Sequence, residues 1–232
     1  MFDTAFIWIG VVVIIFIISV SLLIFAPKSI NYFDTSTYPI VKFISENNDQ
    51  IIKDDFYKIK NNLNWLNYPD VENINGTCTI WPMYMFSIKS VTRSSECPNT
   101  YKLIENIPDV KSCAFIKLEP ESSIGKNKQW KELVNNTLRC LFIIDSPNDM
   151  TDKCAIWVNG EIKKVKSRDL IIFDSSKEHS IYNKTKLPLY MLLLDIKRPE
   201  KIVDGLSDRE YSNEIHEFIY NLSQEELNKV PK

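Results

Sequence analysis

The residue most able to do chemistry is a histidine that closes the run Phe173-Asp174-Ser-Ser-Lys-Glu178-His179, and the chain holds only one other, His216. An imidazole ionises near neutrality and serves as acid, base or metal ligand, yet two in 232 residues leave little for a multi-imidazole site. Asp174, a short side chain in a turn-like run, reads as a turn-stabilising residue ahead of His179. The five cysteines, at 78, 97, 113, 140 and 154, form no CxxC pair and have no histidine at metal-site spacing. Their odd number leaves at least one thiol unpaired. Reduced thiols are the simplest reading, and a Cys78–Cys97 pair in an oxidising compartment stays open. Lys126 and Lys128 read as a solvated basic loop.

The frame that must position these residues is bounded by composition. Apolar residues make up 44%, charged residues 25%, and glycine only 5 positions, which excludes collagen-like and disordered chains. A net charge of −2 gives no broad basic footprint, so nucleic acid is excluded as the partner. Residues 5–26 are apolar apart from Ser19 and Ser21, about 33 Å of helix at about 1.5 Å per residue, and read as an uncleaved transmembrane anchor with the bilayer as partner. Lys28, Lys42 and Lys53 follow it, which places the body on the cytoplasmic side by the positive-inside bias. Sequons at Asn75, Asn135, Asn183 and Asn221 are no more than the Asn, Ser and Thr content predicts by chance. Lys-, Asn- and Ile-rich usage suggests an A+T-rich genome, viral or parasitic, and with it a virion or internal membrane.

Residues 1–4 are then a flank and 27–38 a linker. Ile40, Ile44, Ile51, Ile52, Phe56 and Ile59 predict one or two amphipathic helices from Pro39. From Cys78 the texture becomes short apolar or alternating runs, TIWPMYMFSI, SCAFIKLE, LRCLFIID, CAIWVNGEIKKV, DLIIFD, HSIYN and LYMLLLDI, which predict strands. The aromatic residues of the first run read as core. Asn159-Gly160 is the strongest hairpin signal, because both residues suit the positive φ of a type I′ turn. Many short strands without interleaved helices predict a closed or two-sheet β architecture over 39–200. In the tail, 201–232, Ser207-Asp-Arg-Glu210 has the capping-box pattern, ahead of Tyr211, Ile215, Phe218, Ile219 and Leu222 on one helical face.

Several stretches in this order are specific. They are Cys97-Pro98-Asn-Thr100 with Leu103-Ile104-Glu-Asn-Ile107-Pro108-Asp-Val110, then Ala114-Phe115-Ile-Lys-Leu118-Glu-Pro120, then Asn135-x-x-Leu138-Arg139, and the Phe173–His179 run continued by Ser-Ile-Tyr182-Asn183 and closed by Leu193-Leu194-Asp195-Ile-Lys-Arg-Pro199. Together the chain resembles the aspartyl/asparaginyl β-hydroxylase family over about residues 33–200. The resemblance implies a double-stranded β-helix, a jelly roll of cupin type, and chemistry through Fe(II) and 2-oxoglutarate. It makes His179 a metal ligand, and directs Arg139 towards substrate or oxoacid. It leaves Asp174 as the base candidate of an active enzyme.

The same resemblance exposes departures. The family's first metal histidine falls on Asn127 when counted from Pro120, or on Trp130 when counted back from Arg139. The imidazole expected two residues after Arg139 is Leu141, and the arginine that would clamp the oxoacid is Leu189. Lys184 or Lys186 could partly stand in for that arginine, and Glu119, Glu121, Glu132 or Asp145 for the missing ligand. A leucine cannot replace a two-pronged guanidinium contact. The expectation is therefore a mainly β protein with flanking helices behind an N-terminal transmembrane helix, catalytically degenerate, without a cofactor, and with a binding or structural role towards a protein partner. The alternative is an active Fe(II)/2-oxoglutarate peptidyl Asp/Asn hydroxylase.

Overall fold

The computed structural model describes residue 8 and residues 11–17, 30–147 and 153–227. The chain divides into two units, residues 1–30 and residues 31–232. In the first, residues 8 and 11–17 are helical. Most of the expected span over 5–26 lies outside the described residues, and among the described residues no helix is long and apolar enough to cross a membrane.

The second unit is built of antiparallel strands. They are β1 (Tyr32–Phe33), β2 (Leu66–Asn67), β3 (Ile74–Asn75), β4 (Cys78–Met85), β5 (Ile88–Lys89), β6 (Val110–Leu118), β7 (Ser122–Asn127), β8 (Thr137–Asp145), β9 (Cys154–Val158), β10 (Glu161–Lys164), β11 (Leu170–Phe173), β12 (His179–Asn183) and β13 (Leu189–Lys197). A large sheet runs β1-β11-β8-β13-β6-β4-β2, with β5 on β4, and a smaller one runs β10-β9-β12-β7-β3. Face to face they make the two-sheet jelly roll that the strand pattern predicts.

The central strands β8 and β13 are buried on both faces, so their sequences read as continuous apolar runs instead of alternating ones. Leu138, Cys140, Phe142 and Ile144, with Leu192, Leu194 and Ile196, face one core. The helices Pro39–Asn47, Asp49–Ile59 and Pro98–Glu105 cover that face, with Phe56 packed 5.5 Å from Phe115 and 4.9 Å from Tyr190. Ile40 and Ile51, expected on the apolar stripe, are exposed at its margin because the chain breaks into two helices at Asn48. Leu141, Ile143, Leu189, Met191 and Leu193 face the smaller sheet and meet Ile124, Ile156, Val158 and Ile181. By the period of two, Arg139 and Asp195 share this intersheet side.

Three local expectations meet the coordinates differently. At Asn159-Gly160 both φ angles are positive, 42° and 92°, and Val158 pairs directly with Glu161, a two-residue hairpin. The stretch expected as linker, 27–38, enters the fold at its end: Tyr32 and Phe33 pair with Phe173 and Ile172. The tail helix is Asn213–Leu227 and starts after the capping-box pattern, not at it. Ser207 is withheld from a capping role because its hydroxyl donates to the Gln129 carbonyl, while its N–H donates to Asn135 Oδ1.

All five cysteines are free and buried. Cys78 lies in the intersheet core and Cys97 in the helix-facing core, so the open Cys78–Cys97 pairing is not made.

Candidate functional site at the mouth of the jelly roll

His179 opens β12 and stands opposite Asn127, the last residue of β7, and opposite Val158 of β9. Cross-strand neighbours place their side chains within about 5.5 Å at Cβ, so Asn127, not Trp130, holds the position facing His179. His179 is 1% exposed, packed 5.3 Å from the Phe173 ring. Its Nδ1 lies 2.9 Å from the Lys177 carbonyl. A carbonyl only accepts, so Nδ1 carries the proton and Nε2 the lone pair. Burial, reinforced by the nearby Arg139 charge, pulls the imidazole down to about 4, so it is neutral at physiological pH.

Around this ring three guanidinium–carboxylate pairs close on themselves. Arg139 Nε and Nη2 donate to Asp195 Oδ1 and Oδ2 at 2.8 and 2.9 Å, with the Arg139 side chain 3% and the Asp195 side chain 0% exposed. Burial opposes the Arg139 charge, yet Asp195 and the Tyr68 hydroxyl more than restore it, and its pKa rises. The Tyr68 hydroxyl is itself pushed up to about 12 by burial. Arg198, just past β13, donates to Asp174 at 2.8 and 3.2 Å, and Asp174 also accepts from Ser176 N and Oγ. Burial favours its neutral form, but those donors win and hold the carboxyl below its usual range. Arg209 donates to both oxygens of Asp70, at 2.6 and 2.7 Å, and Asn73 and Asn127 donate to it as well. Asp70 is held low in the same way, its burial outweighed by Arg209.

Arg209 reaches Asp70 from residues 205–211, a strap laid across the mouth. Gly205 N donates to the Asn135 carbonyl, and Lys131 N to the Arg209 carbonyl. Gly205 has no replacement here, because a Cβ would sit 2.6 Å from Ser176 and 3.0 Å from Arg198 Nη2.

Of the residues picked from sequence, the mouth gathers His179, Arg139 and Asp174, the last as the carboxylate of a hydrogen-bonded turn. Lys186 is exposed in the turn between β12 and β13, while Leu189 and Leu141 are fully buried between the sheets. Asp70, Arg198, Arg209 and Tyr68 were missed. Arg198 stood in the Lys-Arg-Pro after Asp195 and Arg209 in the capping-box pattern, neither as a site residue. Asp70 and Arg209 lie 139 positions apart and carry no local signal.

A ferrous ion needs several imidazole or charged oxygen donors on one face. Here the facing donors are one neutral imidazole and the Asn127 Oδ1, a buried amide oxygen with no partner, while Asp70, Asp174 and Asp195 are saturated by arginines. Among the described residues no three His, Cys, Asp or Glu gather as a metal group. The residues present do not fit the iron that the family resemblance implies. Nor does the Arg139 fork fit a free oxoacid, since both prongs are taken.

The chain is 29% identical over 137 residues to the ornithine lipid ester-linked acyl 2-hydroxylase of Rhizobium tropici, 57% of this chain and 46% of that protein, so it spans a little under half of that relative's length. Similar solved structures include a predicted oxalate decarboxylase from Thermotoga maritima, at TM-score 0.38 and 18% identity over 58% of this chain and 92% of that one. A cupin-2 domain from Rhodospirillum rubrum gives TM-score 0.37 and 9% identity over 68% and 81% of the two chains. The aspartyl/asparaginyl β-hydroxylase family profile matches residues 46–199, two-thirds of the sequence, and the chain belongs to that family.

Proposed function

We propose that this protein is a non-catalytic member of the family, held at a membrane by residues 5–26 and using its jelly roll as a binding scaffold. The observation that carries the reading is Arg139 closed on Asp195 with both prongs. To accept an oxoacid, Arg139 would have to abandon a buried carboxylate, and an uncompensated buried charge costs about 3–5 kcal/mol. Asn127 opposite His179 removes the second imidazole in the same place. With the charges of Arg139, Arg198 and Arg209 each paired inside, the binding role falls to the outer surface, towards a protein partner.

The test is succinate release from 2-oxoglutarate by the full chain with Fe(II) and ascorbate, beside iron content after loading. The expected result is no turnover above the metal-only control and no stoichiometric iron. Turnover abolished by His179→Ala would overturn it. For the anchor, the full chain is expected to stay with membranes through alkaline carbonate washing, and release into the wash would count against residues 5–26 as a span.

A second reading is an active 2-oxoglutarate-dependent hydroxylase of peptidyl Asp or Asn, or of a lipid acyl chain. The relative named as an acyl 2-hydroxylase favours it. It requires Arg139 to exchange Asp195 for the oxoacid, and the same assay separates it from the first.

A further inference from the structure

Away from the mouth, the turn at residues 62–66, the helix Val91–Glu96 and the helix Asn213–Leu227 border a groove of about 500 Å³ lined by Leu63, Trp65, Trp81, Arg93, Glu96 and Glu225. That size suits a small organic molecule. Leu63 is 97% exposed at its rim, an apolar side chain left wholly in water. Trp65 stands 5.9 Å from Trp81, and both indole N–H groups are already spent inside the protein, on the carbonyls of Ile59 and Arg93. What Trp65 offers a visitor is therefore apolar surface, with Trp81 fully buried behind it.

The charged group in the wall is Arg93, 6% exposed. Its Nη1 donates to Glu225 at 2.5 Å and reaches Ser90 Oγ at 3.5 Å. Its Nε is buried with no acceptor and no access from the groove, which leaves the Nη1–Nη2 end to meet a visitor. A guanidinium takes a carboxylate with two parallel N–H bonds, and its Nη1–Nη2 end is such a fork. A buried donor without an acceptor costs desolvation with no return. Glu225 satisfies only one tip of the group and is itself 38% exposed, so its carboxylate can turn into water when another takes its place. A dianion would meet both Glu96 and Glu225, so a single negative charge matches the site best.

We propose that this groove binds a small organic monocarboxylate, its apolar body on Trp65 and Leu63 and its carboxylate on the Nη1–Nη2 end of Arg93, with Glu225 displaced. The site shares no residue with the mouth and stands whether or not the protein is catalytic. The test is calorimetric titration of the full chain with butyrate, hexanoate, octanoate, phenylacetate and indole-3-acetate, each against its primary amide. At least one acid is expected to bind with a sub-millimolar Kd, its amide at least about tenfold more weakly. Arg93→Lys loses the fork and should weaken the acid about tenfold, whereas Glu225→Gln removes the competitor and should tighten it. Binding of no acid at millimolar concentration, equal binding of acid and amide, or weaker binding in Glu225→Gln would each overturn the site. The acid–amide contrast and Glu225→Gln leave Arg93 untouched, so the outcome does not depend on how Arg93→Lys folds.

Discussion

Arg139 and Asp195 face each other across β8 and β13, and each is the reason the other can be buried. Removing one partner leaves an uncompensated charge, whereas replacing both leaves an apolar contact. Arg139→Met should therefore lower stability by about 3–5 kcal/mol, and Arg139→Met with Asp195→Leu should recover most of it, read by urea unfolding. His179 predicts a separate pH window. The unfolded imidazole takes a proton near 6.5 and the buried one not until about 4, so between those values the unfolded chain binds more protons. Stability is then full above pH 6.5 and falls as pH drops towards 4, by roughly 3 kcal/mol in all. His179→Leu should flatten that slope in urea midpoints measured across pH. The depressed carboxyls of Asp70 and Asp174 contribute above their ordinary value near 3.8, and their loss comes at lower pH still.

Among the elements, the β9–β10 hairpin shows how far local chemistry reaches. A Cβ on Gly160 would meet nothing within 4 Å, so a substitution there is charged only for its positive φ. Gly160→Ala should cost about 1–2 kcal/mol in thermal unfolding, with no change in the core. The strap is the opposite case, a segment held by distant partners. Arg209→Met should raise amide exchange over residues 205–211 while β8 and β13 stay protected. This contrast marks what was legible in the sequence. The hairpin, the strands and the leading helices are set by neighbours a few residues away, and the sequence carried them. Ser207 misled because its hydroxyl serves Gln129, 78 positions back, and a capping pattern looks the same whether or not a helix follows. Tyr32 and Phe33 looked like linker because their strand partner is β11. At the mouth, the missing imidazole and the two leucines were visible as residue types. That Asp70 would be taken by Arg209 was not, since only the fold brings them together.

For the whole molecule, the large sheet is shared by two cores, one under the helices and one against the smaller sheet. Neither core can be exposed without disturbing the sheet that backs the other, so both are expected to open in one step. The cysteines sample both sides: Cys97, Cys113 and Cys140 lie beneath the helices, Cys78 and Cys154 between the sheets. Burial raises all five thiols above their ordinary range, which withholds the reactive thiolate from the native protein. The native chain should be silent to a thiol-selective dye, and under mild denaturant the two groups should react at one common rate. A faster set would mean that its side opens alone. The protein thus carries an internal clock, five dark sulfur atoms that report the moment the barrel lets solvent in.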